Sequence, residues 1–184
     1  PARRRHDDPD PRGQANSIVI WSSPQGGTNA LKLGYLLLLA AARQSIDIQS
    51  PYLLTDASTE WSLADARRRG VRVRMLVEGD VTDAKPVKFA SRAQYGQLMQ
   101  QGIDIYEYQP AMMHTKAVII DGAVSIVGSA NFDNRSFRLN DEANLNVYDA
   151  DFVQEQEAVF EADLRNSRRI TYEEWKHRPR VERV

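Results

Sequence analysis

The 184-residue sequence contains no cysteine, so disulfides, thiolate zinc sites and a cysteine nucleophile are all excluded. It holds only three histidines, His6, His114 and His177, which leaves histidine chemistry few places to reside. Long hydrophobic runs are also missing. The longest, Leu36–Ala42 extended by Tyr35, falls far short of the ~18–20 residues that a membrane-spanning helix needs. No secretory signal pattern opens the chain, and a cytoplasmic location or a peripheral one at the membrane is expected. Charge of one sign is lacking too: 24 Lys and Arg stand against 25 Asp and Glu, a net charge of −1. No whole-chain basic field draws the protein to nucleic acid or an anionic membrane, although a local basic patch remains open.

What is present is ordinary for a soluble globular chain, with 42% apolar and 27% charged residues. The length fits one domain. Residues 1–16 mix Pro, Gly and both charge signs without an apolar period and read as a linker or arm, with Arg3–Arg5 neutralised by Asp7, Asp8 and Asp10. From residue 17 to 184 a single domain is expected. Ile18–Trp21 reads as a short buried strand, followed by a turn at Pro24–Gly27. Thr28 can cap a helix reaching about Gln44.

Further strands are expected at Ile46–Gln49, Val71–Val77, Ile103–Tyr108 and Glu142–Tyr148. Helices are expected from Ser58 to Gly70, from Lys88 to Gln101 and around Phe152–Leu164. Thr171 and Glu174 spell a capping box for a short last helix around Trp175. The alternation predicts an α/β domain, a mixed and largely buried sheet with helices on both faces. Lys85 and Lys88 read as a solvated face, and Met112 and Met113 as core. Arg178, Arg180 and Arg183 make a modest basic end that could touch lipid phosphates.

The informative stretch is His114–Asn131, HTKAVIIDGAVSIVGSAN. Two strand-like runs flank Asp121-Gly122, a strong hairpin signal. A two-residue loop would set Ile120 opposite Ala123, Val118 opposite Ser125, Lys116 opposite Val127 and His114 opposite Ser129. Alternation then puts His114, Lys116, Ser129 and Asn131 on one side of the sheet. Such a set suits phosphoryl transfer: imidazole can attack phosphorus, lysine can hold phosphate oxygens, and Ser and Asn can donate hydrogen bonds. A metal site fits worse, with one histidine, no clustered carboxylates and an adjacent lysine. Glu142, opening the next strand, is the candidate to orient the imidazole. The place of Asp121 in the turn accounts for it without a catalytic role, and Gly122 and Gly128 read as structural in the same way. Arg135 could reach a phosphate or pair with Asp133 or Asp141.

These residues spell H-x-K-x4-D followed by G-S-x-N, in His114, Lys116, Asp121, Gly128, Ser129 and Asn131. The string resembles the signature of the phospholipase D superfamily. The segments IDIQSPYLLTD, YEYQPAMMHTK and GSANFDNRSFRLNDEANL are similar to the second half of its cardiolipin synthase-like members, a likeness over residues 17–170. The resemblance implies a phospholipase D-type half-domain and phosphodiester transfer or hydrolysis on phospholipids such as phosphatidylglycerol, through a covalent phosphohistidine. His114 would be the nucleophile or the acid that protonates the leaving alcohol. Lys116 and Asn131 would bind phosphate, Ser129 would support the site, and Glu142 would hold the distal nitrogen of His114. No metal or other cofactor is implied.

One departure matters. Family enzymes join two such motifs around one phosphate, and this chain carries one. Either two copies pair, as in short nucleases of the superfamily, or the chain is the C-terminal half of a longer two-motif enzyme. The lack of an initiating Met favours the second, and the half-domain could then be inactive alone. The near-neutral charge speaks against nucleic acid as substrate.

Overall fold

The computed structural model describes residues 15–23, 29–133, 136 and 140–179. The elements, in chain order, are β1 (Ser17–Ser22), α1 (Ala30–Ala41), β2 (Ser45–Gln49), α2 (Ala57–Arg68), β3 (Arg72–Glu78), α3 (Lys85–Gln100), β4 (Asp104–Tyr108), β5 (Ala117–Ile120), β6 (Val124–Gly128), β7 (Glu142–Val147), α4 (Ala150–Arg165), β8 (Ser167–Ile170) and α5 (Tyr172–Lys176). The eight strands form one mixed sheet in the order β1-β7-β6-β5-β2-β3-β4-β8. Only β2, β3 and β4 run parallel to one another; every other neighbour is antiparallel. The expected α/β class, with helices on both faces, is what the chain adopts.

The two faces differ in composition. One packs Tyr35 and Leu39 of α1, Leu63 and Ala66 of α2, and Tyr95 and Leu98 of α3 against Ile46, Ile48, Val73, Met75, Val118 and Ile126. Trp175 of α5 joins this layer from the side. Among the described residues the other face carries α4, whose Val153 and Phe160 meet Leu76, Met113 and Ile119. Beneath α4 the sheet also buries charge. Arg74 holds Asp47 through two bonds of 2.7 and 2.8 Å, reaches Glu161 at 2.7 Å and lies 4.9 Å over the Phe160 ring. A desolvated ion pair of this kind survives because each charge has its partner in a fixed geometry.

Local signals explain the helix ends. The Asp56 side chain accepts the Thr59 N–H at the start of α2, Asp149 accepts that of Phe152 at the start of α4, and the expected capping box at Thr171 and Glu174 is formed in both directions. Burial raises the Asp56 carboxyl, but its bonds with Lys32, Thr59 and Ser58 outweigh this and hold it well below the usual carboxylate range. Gly70, at φ 89°, closes α2 in the left-handed conformation that glycine tolerates.

Four expectations change. The hairpin register differs by one residue, with Ala117 opposite Val127, Ile119 opposite Ser125 and Ile120 opposite Val124. Asp121 and Gly122 both take positive φ, as a tight hairpin requires, but Ala123 stays in the loop as a third residue. The reason lies in β2: the Asp121 N–H bonds Ser45 O, and its carboxylate accepts the backbone N–H groups of Arg43, Gln44 and Ser45. The turn is thereby tied to the neighbouring strand before it closes.

Second, β1 is an exposed edge rather than a buried strand. It pairs only with β7, and Val19 and Trp21, 62% and 57% exposed, face the side that α4 leaves bare. Third, Lys88 is buried, its ammonium bonded to Gly79 O and Asp80, so it is no solvated face. Met113 enters the core while Met112 stays exposed. Fourth, β8 had no counterpart in the sequence reading. The expected Pro24–Gly27 turn, the Thr28 cap, His6, the arginines at 3–5, Arg135, Arg180 and Arg183 lie outside the described residues.

Candidate active site

The parallel strands β2 and β3 end at Gln49 and Glu78, and the chain after β6 folds onto that end. Ser50 Oγ accepts the Phe132 N–H at 3.0 Å, and Leu54 forms an isolated bridge with Asp133. Across from it, the Gly128 N–H bonds Lys116 O at 3.2 Å, and the Ser129 N–H bonds Ala143 O at 3.1 Å. The segments before β5, after β6 and at the start of β7 therefore meet at one end of the sheet. His114, Lys116, Ser129 and Asn131 lie beyond the last paired residues of β5 and β6, where strict strand alternation no longer rules. What gathers them is the anchoring of these loop ends, not the register first inferred.

Lys116 Nζ sits 3.0 Å from His114 Nδ1 and donates to His114 O at 2.8 Å. A charged ammonium can only donate, so this contact leaves the imidazole proton on Nε2. His114 itself is exposed. Partial burial lowers the Lys116 pKa from the ordinary lysine value, and the carboxylates of Glu142, Asp133, Asp83 and Glu78 work against that shift. Ser129 Oγ donates to Glu142 and accepts the Ala143 N–H at 3.1 Å. Asn140 donates to the other Glu142 oxygen at 3.1 Å. The bond expected between Glu142 and His114 is replaced by these two, because the ladder seats Ser129 beside the first residues of β7. Asn131 Oδ1 is buried and has no hydrogen-bond partner among the described residues, which leaves an acceptor to be satisfied at this site.

Sequence reasoning missed Glu78. It is only 2% exposed, and burial pushes its pKa up, with Asp83 adding to the rise and Thr82, Lys88 and His114 opposing it. A carboxyl of that kind close to His114 and Lys116 is a recognised mark of a working site. Its position as the last residue of a buried parallel strand was the available signal. Beside it, Tyr52 donates to Asp83 at 2.8 Å; burial and that carboxylate push the phenol up to about 12.

An open cleft of about 480 Å³ lies against Ser129 and Glu142, bounded by Trp21, Ser22, Ser23, Asp141 and Ala143. A second cavity of about 280 Å³, lined by Arg92, Glu107, Arg168 and Trp175, lies at the opposite edge of the sheet and holds none of the motif residues. Among the described residues no three His, Asp or Glu side chains converge as a metal-holding group. No helix in them is long and apolar enough to cross a membrane.

Residues 35–164 match the family described as the PLD-like domain of cardiolipin synthase. The major cardiolipin synthase of Bacillus subtilis is 34% identical over 169 residues, covering 92% of this chain and 35% of its own length. A cardiolipin synthase of Geobacillus sp. strain WCH70 is 36% identical over 172 residues, covering 94% and 34%. The chain thus spans about a third of the length of these relatives. Two solved structures share the fold. Nuc, a phospholipase D family member from Salmonella typhimurium, aligns with a TM-score of 0.72 at 20% identity, over 85% of this chain and 99% of its own. Phosphatidylserine synthase of Haemophilus influenzae aligns with a TM-score of 0.75 at 14% identity, over 91% and 43%. The chain belongs to the PLD-like domain family of cardiolipin synthases.

Proposed function

We propose that this domain supplies one half of a metal-independent phosphodiester-transfer site for phospholipids, completed by a second HxK motif. The observation that carries the reading is the gathering of the His114–Lys116 and Ser129–Glu142 pairs at one end of the sheet, with the Glu142 charge acting on Lys116 and an open cleft against Ser129 and Glu142. Charge supports the half-site form. Among the described residues one ammonium of the motif, Lys116, stands among Glu142, Asp133, Asp83 and Glu78, too little positive charge to hold a phosphodiester unaided. A second lysine brought by the other motif would restore the balance. The bare strip of Val19 and Trp21 borders the same cleft and suits the other half as its packing surface.

In the proposed cycle one histidine attacks phosphorus and the P–O bond to the first alcohol breaks. The other histidine gives that oxygen its proton. A phosphohistidine remains. Water or the hydroxyl of a second lipid attacks its phosphorus while the other histidine, now neutral, takes the attacking oxygen's proton. The N–P bond breaks, freeing the first histidine and passing the phosphatidyl group to the acceptor. Water gives hydrolysis; a phosphatidylglycerol hydroxyl gives synthesis. To act as the acid, His114 is first protonated at its second ring nitrogen, so that giving up the Nε2 proton leaves a neutral imidazole. To attack through Nε2 it must instead carry its one proton on Nδ1, which displaces the Lys116 contact there. Asn131 and Lys116 hold the phosphate, and Ser129 keeps Glu142 in place.

Size in solution, measured with hydrolysis of a generic phosphodiester, tests the half-site. The 184-residue chain is expected to be monomeric and inactive on its own. An active homodimer contradicts the half-enzyme reading, and one whose DNA binding falls steeply with salt would mark a nuclease instead.

A further inference from the structure

The helix α1 (ALKLGYLLLLAA) is apolar all round except at Lys32, whose ammonium is paired with Asp56, a composition that normally marks a helix covered on most sides. Its inner face is accounted for by Leu31, Tyr35 and Leu39, all buried. Its outer face is not covered: Leu33 and Leu37 are 58% and 62% exposed, and Ala30, Ala40 and Ala41 are exposed with them. On the neighbouring α2, Trp61 is 63% exposed on the side away from the core. At and just past the C-terminal ends of both helices lie Arg43, Arg67, Arg68, Arg69 and Arg72. The carboxylates there are Asp65, held by Arg68 and Arg69, Asp47, buried and shared by Arg72 and Arg74, and Asp121, held by backbone N–H groups, so cations remain in excess.

We propose that the outer surface of α1 and α2 is a membrane-docking face that lies in the interface of an anionic bilayer. Leu33, Leu37 and Trp61 enter the boundary between headgroups and acyl chains, and the arginine rim meets lipid phosphates. Helix α1 has 12 residues, about 18 Å at 1.5 Å per residue, so it lies on a bilayer and does not cross it. Apolar side chains joined to a basic rim match a phospholipid surface in both chemistries.

The placement also serves the site. The Leu31 N–H at the start of α1 donates to Ser22 Oγ at 3.0 Å, and Ser22 is paired with Glu142 across β1 and β7. A helix α1 resting on a bilayer thereby holds the strand end that bears Glu142, while the cleft itself opens on the α4 side of the sheet. The choice of lipid as occupant rests on the phospholipid reading of the site, but docking itself needs no chemistry.

Co-flotation with vesicles tests this, using phosphatidylcholine alone and phosphatidylcholine with one third phosphatidylglycerol. The parent chain is expected to float with the phosphatidylglycerol vesicles, and L33S/L37S to lose about tenfold in partitioning. Val159→Ser, an equally exposed apolar position on α4, should bind like the parent. Unchanged thermal unfolding of L33S/L37S shows that the fold is intact. Tryptophan emission should shift to the blue on vesicles in the parent and less so in Trp61→Phe. His114→Ala should float like the parent, which separates a failure of the chemistry from a failure of docking. Equal flotation of L33S/L37S and parent overturns the proposal, and so does absence of binding by the parent. A parent that self-associates through Leu33 and Leu37 without binding vesicles also overturns it, and makes the face an interface between copies.

Discussion

Lys116 is under two opposed demands. Phosphate recognition needs its charge, while partial burial weakens its hold on the proton and lowers its pKa below the ordinary lysine value of 10.5. The sign follows directly: as pH rises, Lys116 loses its proton earlier than a solvated lysine, and the site loses its local cation. Turnover in a competent assembly should therefore fall on the alkaline side below pH 10.5. Lys116→Arg should move that limb upward, because a guanidinium keeps its charge, even if the maximal rate suffers from altered geometry. A pH profile of kcat/KM read to pH 11 checks this; an alkaline limb identical in Lys116→Arg and parent would remove Lys116 as its source. The residue scale is also where the sequence was most legible. The order of residue types singles out His114, Lys116, Ser129 and Asn131 as candidates, and the fold sets all four just beyond the paired ends of β5 and β6. It does not single out their partners. That Glu142 bonds Ser129, and that Glu78 is buried within electrostatic reach of His114, depend on a ladder and a strand end that no local pattern reports.

Among the elements, the β5–β6 hairpin shows why a correct motif can still give a wrong register. Asp-Gly announced the turn, and both residues do take positive φ. Yet the carboxylate of Asp121 spends its acceptor capacity on three backbone N–H groups at the start of β2, 76–78 residues away in sequence. A bond at that separation cannot be read from the turn. Asp121→Ala should leave those N–H groups without their acceptor and cost about 1–3 kcal/mol of stability. Asp121→Asn, which keeps one oxygen, should recover part of it. Denaturant unfolding of the two variants measures this, and an Asp121→Ala protein as stable as the parent would show that the clamp is idle. Activity per folded molecule should stay near the parent's in both, as befits a residue away from the cleft. Strands β1 and β8 show the same limit. The four residues of β8, Ser-Arg-Arg-Ile, are too short and too charged to announce a strand, and they form one because Arg168 and Arg169 find Glu107 and Asp104 on β4. β1 looked buried because it is apolar, whereas its position at the sheet edge was invisible.

Over the whole molecule, two bare apolar surfaces flank the edge strand β1. Val19 and Trp21 lie on the α4 side, beside the cleft; Leu33 and Leu37 lie on the outer side of α1. An apolar surface facing water is unfavourable by roughly 25 cal/mol per Å², so both imply further contacts in the working assembly. The proposed occupants differ: a second HxK half for the first surface and a bilayer for the second. The absences noted at the outset acquire meaning at this scale. Without cysteine, and with a single histidine at the motif, the proposed chemistry has His114 as its nucleophile or acid, and the near-zero net charge leaves anion recognition to local cations such as Lys116.

The central claim is that His114 carries phosphodiester transfer without a metal once a second HxK motif is present. The most direct measurement is phospholipid turnover by that assembly in EDTA, parent against His114→Ala. Turnover should persist in the chelator and fall by about a thousandfold or more in the variant. Turnover unchanged in His114→Ala, or lost in EDTA and restored by a divalent metal, would contradict it.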